Sequence, residues 1–268
     1  MRKTLSLLLV ALCLTTTAQK SLTLASQSQI YITHVTVIDT DTGKESPDKT
    51  VVISDGKISD LANSKDVGVP ANAPIVDGRG RYLIPGLWDM HVHTWKYEST
   101  YPLYIANGVT GVREMFGPPD ANAFRTKLAS NHLLAPRMYI ASPIIDGHPR
   151  FWPESIEVAD ADQARDDVRE QKSNGADFIK VYSRLSREAY FAIMDESHRL
   201  GLPVDGHVPT RITAWEASDA KRRSFEHLNG IAMACSTREE ELQPKLSATT
   251  VIRERYSLMA QATRSPKV

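Results

Sequence analysis

The pattern of apolar and polar positions divides the chain into two parts, and the first part is β-rich. Residues 30–38 are β-branched and roughly alternating, which predicts a strand. Residues 50–58 form two short apolar segments around an Asp-Gly dipeptide, which is typical of a hairpin. A further short strand is predicted at residues 75–76, and no long helical pattern interrupts this region. We therefore predict a small β domain over residues 19–80.

From Tyr82 onward, short apolar segments alternate with segments of helical period. Asp160 and Ser186 each precede a helical segment and are expected to be its N-cap. The predicted strands are 83–90, 109–113, 138–142, 177–182, 202–207 and 224–227. Strands that alternate with helices of this length predict a parallel β/α array over residues 81–241. Residues 242–268 show no clear period and are predicted to be an irregular tail.

Six strands in series fit either an open sheet or part of a closed (β/α)₈ barrel. A closed barrel needs about 250 residues, and fewer than 190 residues follow Arg81. The array is therefore expected to stop about two strand-helix units short of closure. Because such an arc exposes strand edges, we expect a homo-oligomer formed through those edges.

The N-terminal residues 1–18 have the pattern of a secretory signal peptide. A basic start at Arg2 and Lys3 precedes a short apolar run, and Ala18 provides a small residue for cleavage. The alternative is a short membrane anchor, but the apolar run is too short to span a bilayer core of about 30 Å. Cys13 suggests a lipoprotein, although the large side chain of Leu12 disfavours that. The sequence thus predicts an exported protein, periplasmic or secreted.

Composition narrows the classes of partner. Lys plus Arg and Asp plus Glu are both 32, so no net charge favours binding to nucleic acid or to an anionic membrane. No apolar run in the body of the chain is long enough for a membrane span. Cys235 alone remains beyond the signal segment, so no internal disulfide is expected. A small-molecule substrate is the expected partner.

Histidines and one lysine occupy the ends of four predicted strands. His91 and His93 are two positions apart on the first strand, so their side chains point the same way. That pair alone is a weak signal. Lys180, His207 and His227 then end the fourth, fifth and sixth strands, at intervals of 27 and 20 residues. Because catalytic groups collect at this end of a barrel, the five residues predict a divalent metal site.

Lys180 needs a separate explanation, because an ammonium group has no lone pair for a metal ion. Neighbouring cations lower the pKa of a lysine, and a neutral amine can react with carbon dioxide. The resulting carbamate is an anion able to bridge two metal ions. The alternative is a lysine paired with a carboxylate.

Three further residues are candidates for substrate binding. His148 follows the third strand in a loop on the same side as the histidines. Arg113 and Tyr182 end the second and fourth strands, where they could orient a carboxylate or a carbonyl group. For Arg113 and Tyr182, packing within the barrel rim is an equally good interpretation.

The segment 84–93, Ile-Pro-Gly-Leu-Trp-Asp-Met-His-Val-His, resembles the first-strand signature of the amidohydrolase superfamily. The spacing of Lys180, His207 and His227 is similar to that of its imidazolonepropionase-like and zinc prolidase-like members. The resemblance implies an α/β fold, an incomplete TIM (β/α)₈ barrel of about six strands preceded by a small β-sandwich-like unit. It also implies two Zn²⁺ ions, or one if the site is incomplete.

In such enzymes the first-strand histidines bind one metal ion and the fifth- and sixth-strand histidines bind the other. The resemblance therefore assigns His91 and His93 to the first ion, and His207 and His227 to the second. A carbamate on Lys180 would bridge them, and Lys180 and His207 are the expected catalytic residues. The implied activity is hydrolysis of carbon-nitrogen bonds, in amides, cyclic amides or dipeptides, by a metal-bound hydroxide.

The sequence departs from this family in one respect. The family takes an aspartate ligand from the eighth strand, and this sequence contains no Asp after Asp219. We therefore expect a chain truncated before that strand. Two alternatives to an active enzyme remain: a non-catalytic metal-binding remnant or partner-dependent subunit, and an exported binding protein with an open α/β sheet. The last of these predicts no stoichiometric metal.

Overall fold

The computed structural model describes residues 29–249 and 251–267. They belong to two compact units, the first ending at Pro85 and the second beginning at Gly86. The first unit therefore extends a few residues beyond the predicted end at residue 80, because the next short strand still pairs within it.

The predicted signal peptide, residues 1–18, lies outside the described residues. Within the described part of the chain, no helix combines the length and the apolar character that crossing a membrane requires.

The first unit is a single five-stranded sheet. The strands are β1 Ile30–Ile38, β2 Glu45–Ser54, β3 Lys57–Asn63, β4 Ile75–Asp77 and β5 Tyr82–Leu83, with a 3₁₀ turn at Ser64–Asp66. The order is β3-β2-β1-β4, and β5 pairs with β1. Strand β1 is antiparallel to β2 and parallel to β4 and β5.

The predicted hairpin between β2 and β3 is confirmed, and its turn explains the Asp-Gly dipeptide. Asp55 and Gly56 both have positive φ, 52° and 72°. A two-residue hairpin turn of this kind matches the right-handed twist of the strands, and Asp-Gly tolerates the left-handed conformation that it needs. Tyr31, Val35, Val51 and Val52 are the buried apolar side chains of this sheet.

The strand predicted at residues 83–90 is divided in the structure. β5 ends at Leu83, and the next strand begins only at Leu87. Pro85 lies between them. Because proline has no N–H group to donate to a strand ladder, it separates the two strands.

The second unit alternates strands and helices as predicted. Its strands are β6 Leu87–Val92, β7 Val109–Glu114, β8 Arg137–Ile140, β9 Ile145–Gly147, β10 Ile156–Val158, β11 Ile179–Val181 and β12 Val204–Gly206. Its helices are α1 Tyr97–Ala106, α2 Ala121–Ser130, α3 Ala161–Ser173, α4 Arg187–Arg199, α5 Ala214–Asp219, α6 Ile231–Ala234, α7 Glu239–Ala248 and α8 Ile252–Thr263.

These strands form two parallel sheets. One has the order β6-β7-β8 and the other β10-β9-β11-β12. A single parallel bridge between Ala141 and Phe178 continues the first sheet into the second. The second unit is therefore an arc of parallel strands, and the described residues contain no closed barrel. Sequence reasoning missed β9 and β10, and β9 ends in Asp-Gly, a dipeptide that is typical of turns.

The sixth predicted strand, 224–227, is wrong. The structure has a 3₁₀ turn at Glu226–Leu228 instead. His227 and Leu228 have φ values of 56° and 53°, in the left-handed region. Two successive residues in that region are incompatible with an extended strand.

The predicted helix caps are confirmed. The Asp160 carboxylate accepts hydrogen bonds from the backbone N–H groups of Asp162 and Gln163, at 3.0 and 2.9 Å. The Ser186 hydroxyl accepts one from Ala189 N–H at 3.1 Å. These caps begin α3 and α4, the two helices that cover the β9-β11-β12 sheet and bury its main apolar core.

The prediction of an irregular tail at residues 242–268 is also wrong, because most of it is helical. Leu242 and Leu246 lie four residues apart on α7 and are buried. They pack with Met233 and with Ala262 of α8. Residues 242–268 show no apolar period because each helix contributes only one or two residues to this core.

The end of β12 generates a stability prediction. Gly206 has φ +118°, and a Cβ atom there would lie 2.2 Å from the carbonyl oxygen of Val181. Gly201 also has positive φ, +67°, but a Cβ atom would meet nothing within 4 Å. We expect Gly206→Ala to lower the free energy of unfolding by about 2–4 kcal/mol, because backbone atoms must move.

Urea denaturation followed by circular dichroism measures the effect. The matched control Gly201→Ala should cost only about 1 kcal/mol, the ordinary penalty for a left-handed non-glycine residue. Equal losses for the two variants would contradict the close packing at Gly206.

Candidate metal centre

Parallel strands bring the predicted site residues to one edge of the arc. His91 lies near the carboxyl end of β6, and His93 follows that strand. Lys180 is the middle residue of β11, and His207 directly follows β12. Because all these strands run in the same direction, their carboxyl ends share an edge, where functional groups collect in α/β folds.

Four imidazole rings lie next to one another at this edge. The Nε2 atoms of His91 and His93 are 3.3 Å apart. The ring centroids of His91 and His227 are separated by 4.6 Å, and those of His227 and His207 by 5.1 Å. The structure therefore brings together the four histidines that the sequence selected.

A cavity of about 120 Å³ opens between these rings. Its lining comprises three of the histidines, Lys180 and five mostly aromatic side chains: His93, Trp95, Phe116, Ile144, Trp152, Lys180, Tyr182, His207 and His227. It is small and surrounded by rings, so a reacting group inside it would meet few water molecules.

A buried carboxylate holds His91 in place. The Nδ1 atom of His91 is 2.6 Å from the Oε2 atom of Glu226. The other oxygen of Glu226 accepts a hydrogen bond from the Nη2 atom of Arg113. Burial alone would raise the pKa of Glu226, but hydrogen bonds from His91 and Ser224 and the charge of Arg113 outweigh it, and the pKa lies well below its usual value. An ionised Glu226 accepts the Nδ1 proton of His91 and leaves the Nε2 lone pair facing His93.

The same network extends to β12. The guanidinium of Arg113 lies 3.4 Å from the carboxylate of Asp205, which is fully buried. The Ser224 hydroxyl is within 2.8 Å of Asp205 and within 2.6 Å of Glu226. Two carboxylates thus share one arginine and one hydroxyl below the histidines. Buried charges of this kind are tolerated only when they are paired and hydrogen-bonded.

His207 is oriented by neighbours of its own. Its Nδ1 atom lies 3.0 Å from the Ser183 hydroxyl. The ring stacks on Tyr182, with centroids 4.0 Å apart, and the Tyr182 hydroxyl accepts a hydrogen bond from Trp152 Nε1 at 3.3 Å. These contacts fix the ring plane and engage Nδ1, so Nε2 is the nitrogen left for another partner.

The environment favours the neutral form of His93, His207 and His227. Burial, followed by the charge of Lys180, lowers the pKa of His93 to about 4. The pKa of His207 falls for the same two reasons in the same order. Burial and then the neighbouring charge of His91 lower the pKa of His227. Neutral imidazoles retain the lone pair that a metal ion needs.

Lys180 is almost completely inaccessible, with 1% of its surface exposed. Burial lowers the pKa of its amine to about 8, with Glu226 opposing the shift and Arg222 and Arg113 adding to it. Among the described residues, no carboxylate lies within ion-pair distance of its Nζ atom. The structure therefore does not support the alternative of a lysine paired with a carboxylate.

The three predicted substrate-binding residues differ in position. Tyr182 lines the cavity beside His207. Arg113 does not: its guanidinium is 9% exposed, and it donates to Met90 O, Asp205 and Glu226. The prediction for Arg113 is thus corrected, because its charge is used inside the fold to hold Glu226.

His148 also lies elsewhere. Its side chain is 76% exposed and bonds Glu157 at 2.9 Å. It borders a separate pocket together with Pro149 and Arg184, and does not line the histidine cavity. The prediction that His148 touches substrate is corrected, because its exposed ring is bonded to Glu157 and borders a different pocket.

Sequence reasoning missed Glu226 and Asp205. On an extended strand, neighbouring side chains point to opposite faces, so a strand at residues 224–227 offers no reason to pair Glu226 with the cluster that His227 joins. The left-handed conformation of His227 removes that alternation. The signal that could have found Asp205 is its position two residues before His207, on the same face of β12.

The histidine nitrogens meet some of the geometric requirements of a metal site. Two ligand nitrogens at about 2.0–2.1 Å from one tetrahedral ion are separated by about 3.3–3.4 Å, which matches the 3.3 Å between His91 and His93. Within residues 29–249 and 251–267, however, no three His, Cys, Asp or Glu side chains are grouped as a metal site requires. The pair would thus supply two of the four ligands that a tetrahedral ion takes.

Sequence comparison finds curated relatives that are named dihydroorotases. One from Anaeromyxobacter dehalogenans strain 2CP-C is 24% identical over 199 residues, which cover 72% of this chain and 38% of the relative. Another from Anaeromyxobacter sp. strain K is 25% identical over 218 residues, 80% of this chain and 42% of the relative. The chain thus spans less than half the length of these relatives. No family model matches it.

Solved structures with the same fold include a bottromycin amidohydrolase. It aligns with a TM-score of 0.68 and 25% identity, over 88% of this chain and 48% of that chain. A Xaa-Pro dipeptidase aligns over 88% of this chain and 75% of that chain, with a TM-score of 0.59. At 17% identity, this second likeness shows the fold alone.

The relatives found by sequence and by fold are therefore of the kind that the histidines at the strand ends predict. The curated relatives and the solved structures support a place for this chain in the amidohydrolase superfamily.

Proposed function

We propose that this chain carries the metal site of a hydrolase that cleaves carbon-nitrogen bonds in amides, cyclic amides or dipeptides. The observation that carries the proposal is the pair His91 and His93, with Nε2 atoms 3.3 Å apart and the first ring fixed by Glu226. The relatives support hydrolysis of this bond type, because curated members are dihydroorotases and a structural neighbour is an amidohydrolase.

The residues that would hold the metal are those at the strand ends. His91 and His93 would bind one ion, and His207 and His227 would bind a second. Imidazole ligands suit zinc, and iron, manganese, cobalt and nickel have the same ligand preferences in part. A divalent ion bound there would supply a Lewis acid and would lower the pKa of water.

Lys180 supports the proposal through its burial. A buried amine with a pKa of about 8 has a neutral fraction near neutral pH. That amine can add to carbon dioxide: its nitrogen forms a bond to carbon, one C=O bond becomes a C–O⁻, and one proton leaves. The carbamate has two oxygen atoms and a negative charge, and would add the anionic ligand that the four histidines lack.

The remaining side chains of the site would bind and orient the substrate. Tyr182 and Trp152, joined by a hydrogen bond, form the wall of the cavity next to His207. They would exclude water from the reacting amide and hold the ring of His207. Arg222 donates to the carbonyl oxygen of His207 at 2.8 Å and fixes the backbone there.

The alternative is a metal-binding chain that is not catalytic by itself. The observation that favours it is the absence, among the described residues, of a third His, Cys, Asp or Glu ligand. The chain also spans less than half of its curated relatives. Metal binding and turnover therefore need separate tests.

Measurements of zinc affinity test the proposed ligands and the residue that orients His91. We expect the purified protein to bind zinc, and His93→Asn to weaken binding by more than about 100-fold, because one of two paired nitrogens is lost. Glu226→Gln should weaken it by about 10- to 100-fold, the usual effect of a residue that orients a ligand. Competition with a zinc chelator of known affinity measures these constants.

The matched control is His198→Asn, which changes an exposed histidine on α4. It should leave zinc affinity unchanged, and circular dichroism should show each variant folded. Zinc affinity that is the same in His93→Asn and His198→Asn would contradict the proposed site.

Hydrolysis tests the activity. We expect the zinc-loaded protein to hydrolyse at least one member of a panel of dihydroorotate, N-acyl amino acids and Xaa-Pro dipeptides. Removal of metal with a chelator should abolish turnover, and His207→Ala should lower kcat/KM by at least about 100-fold, because the metal contributes several kcal/mol to such reactions.

His198→Ala serves as the control for the activity assay. Turnover that persists at the same rate after complete metal removal would contradict the proposal. A zinc-loaded protein with no turnover on the whole panel would support the non-catalytic alternative.

A further inference from the structure

A second and larger cavity adjoins the histidine cavity. Its volume is about 330 Å³, compared with about 120 Å³ for the histidine cavity. The two share three lining residues, His93, Trp95 and Phe116. A molecule bound at His93 would therefore have direct access to this space, which we call the side pocket. Its size lies at the lower end of the range for small-ligand sites, about 300–1,000 Å³.

Aromatic rings form the walls of the side pocket. Tyr97 on α1 and Phe124 on α2 meet edge to face, with centroids 5.1 Å apart and planes at 89°. Tyr101 lies 5.9 Å from Tyr97, and Phe116 stands at 90° to the ring of His93. Rings at these spacings leave faces and edges available to another ring, and aromatic pairs prefer such offset and edge-to-face contacts.

Two hydroxyl groups in the side pocket are buried without a partner. The Thr94 Oγ1 and Tyr97 Oη atoms have no hydrogen-bond partner among the described residues. Both residues line the pocket. A buried hydroxyl without a partner costs about 1–3 kcal/mol, so native structures rarely leave one unless another group completes it.

A buried carboxylate adds an acceptor in the same place. Glu114 is 3% exposed and accepts hydrogen bonds from the backbone N–H groups of Thr94 and Phe116, at 3.1 and 3.4 Å. Burial raises its pKa to about 7, against the opposing hydrogen bond from Thr94. The interior of the pocket therefore combines an apolar wall with three polar atoms that can meet a polar group on a ligand.

The outer side of the pocket is already occupied. The Lys127 ammonium lies 5.4 Å from the centroid of the Tyr97 ring. A cation over that face uses the negative potential of the ring. Glu154 also lines the pocket, so an entering ligand would meet charges of both signs, which is compatible with a neutral ring.

We propose that the side pocket binds an aromatic group of the substrate that carries a hydrogen-bonding substituent, such as the phenol of a tyrosyl amide. The apolar walls would hold the ring, and Thr94, Tyr97 and Glu114 would bind the substituent. The scissile amide would then lie at His93. This assignment rests on the proposed function for the position of the amide, but the pocket itself can be tested without turnover.

Equilibrium binding of three matched probes provides the test. The probes are N-acetyl-L-tyrosine amide, N-acetyl-L-phenylalanine amide and N-acetyl-L-alanine amide, measured by calorimetry on the metal-free protein, in which no turnover is expected. We expect the tyrosine probe to bind at least about tenfold more tightly than the alanine probe, from ring burial and one hydrogen bond.

Substitutions on α1 and α2 test whether the probes bind in the side pocket. Tyr97→Phe removes one hydroxyl and keeps the ring, so it should weaken the tyrosine probe by about 3- to 10-fold and leave the phenylalanine probe unchanged. Tyr104→Phe removes a hydroxyl from the same helix outside the pocket lining, and it should change neither constant. Phe124→Ala should weaken both aromatic probes.

Equal affinity for all three probes would overturn the proposal. So would a Tyr97→Phe variant that behaves like Tyr104→Phe. Because binding is measured without chemistry, a protein that prefers the tyrosine probe and yet hydrolyses no amide would refute the proposed activity and retain the pocket. A protein that hydrolyses alanyl and tyrosyl amides equally would do the opposite.

Discussion

The candidate site depends on one buried carboxylate, Glu226. It is bound on one side by the Arg113 guanidinium and on the other by the His91 ring. Burying a carboxylate lowers stability unless cations and hydrogen-bond donors pair with its oxygens. Here those partners come from β6, β7 and the turn after β12. The position of the His91 ring is therefore fixed by charge pairing below the site, in addition to the strand that carries it.

This arrangement gives a physical reason for the local structure around His227. A turn in place of a strand allows the adjacent residues Glu226 and His227 to reach the same cluster: the carboxylate lies beside His91, and the His227 ring lies between His91 and His207. An extended strand would direct these two side chains to opposite faces. The left-handed backbone at His227 is a strained conformation for a non-glycine residue, and such conformations are common at functional sites.

Much of the site could be predicted from the sequence because strand ends are visible in it. The alternation of side chains puts His91 and His93 on one face, and the strand-helix spacing puts Lys180 and His207 at equivalent ends. The supporting network could not be predicted, because Arg113 and Glu226 are 113 residues apart and their pairing depends on which face each strand turns inward. For the same reason the sequence leaves two interpretations of Arg113 open, substrate binding and packing within the barrel rim, whereas in the structure it binds Glu226 in the interior.

The fold likewise contains features that the sequence predicts and features that depend on tertiary contacts. The hairpin at Asp55-Gly56 and the caps Asp160 and Ser186 are local features with a local physical cause, and the structure confirms them. The helices α7 and α8 are different, because their few apolar residues form a core only when both helices pack with Met233. Their existence depends on tertiary contacts that no period in residues 242–268 shows.

The most direct measurement of the central claim is the position of the metal. Crystals of the protein grown with zinc should show an anomalous diffraction peak at the zinc edge, about 2.0–2.1 Å from the Nε2 atoms of both His91 and His93. Zinc bound only at exposed histidines such as His148, or no ordered zinc at all, would contradict the claim that the Glu226 network prepares this pair of rings for a metal ion.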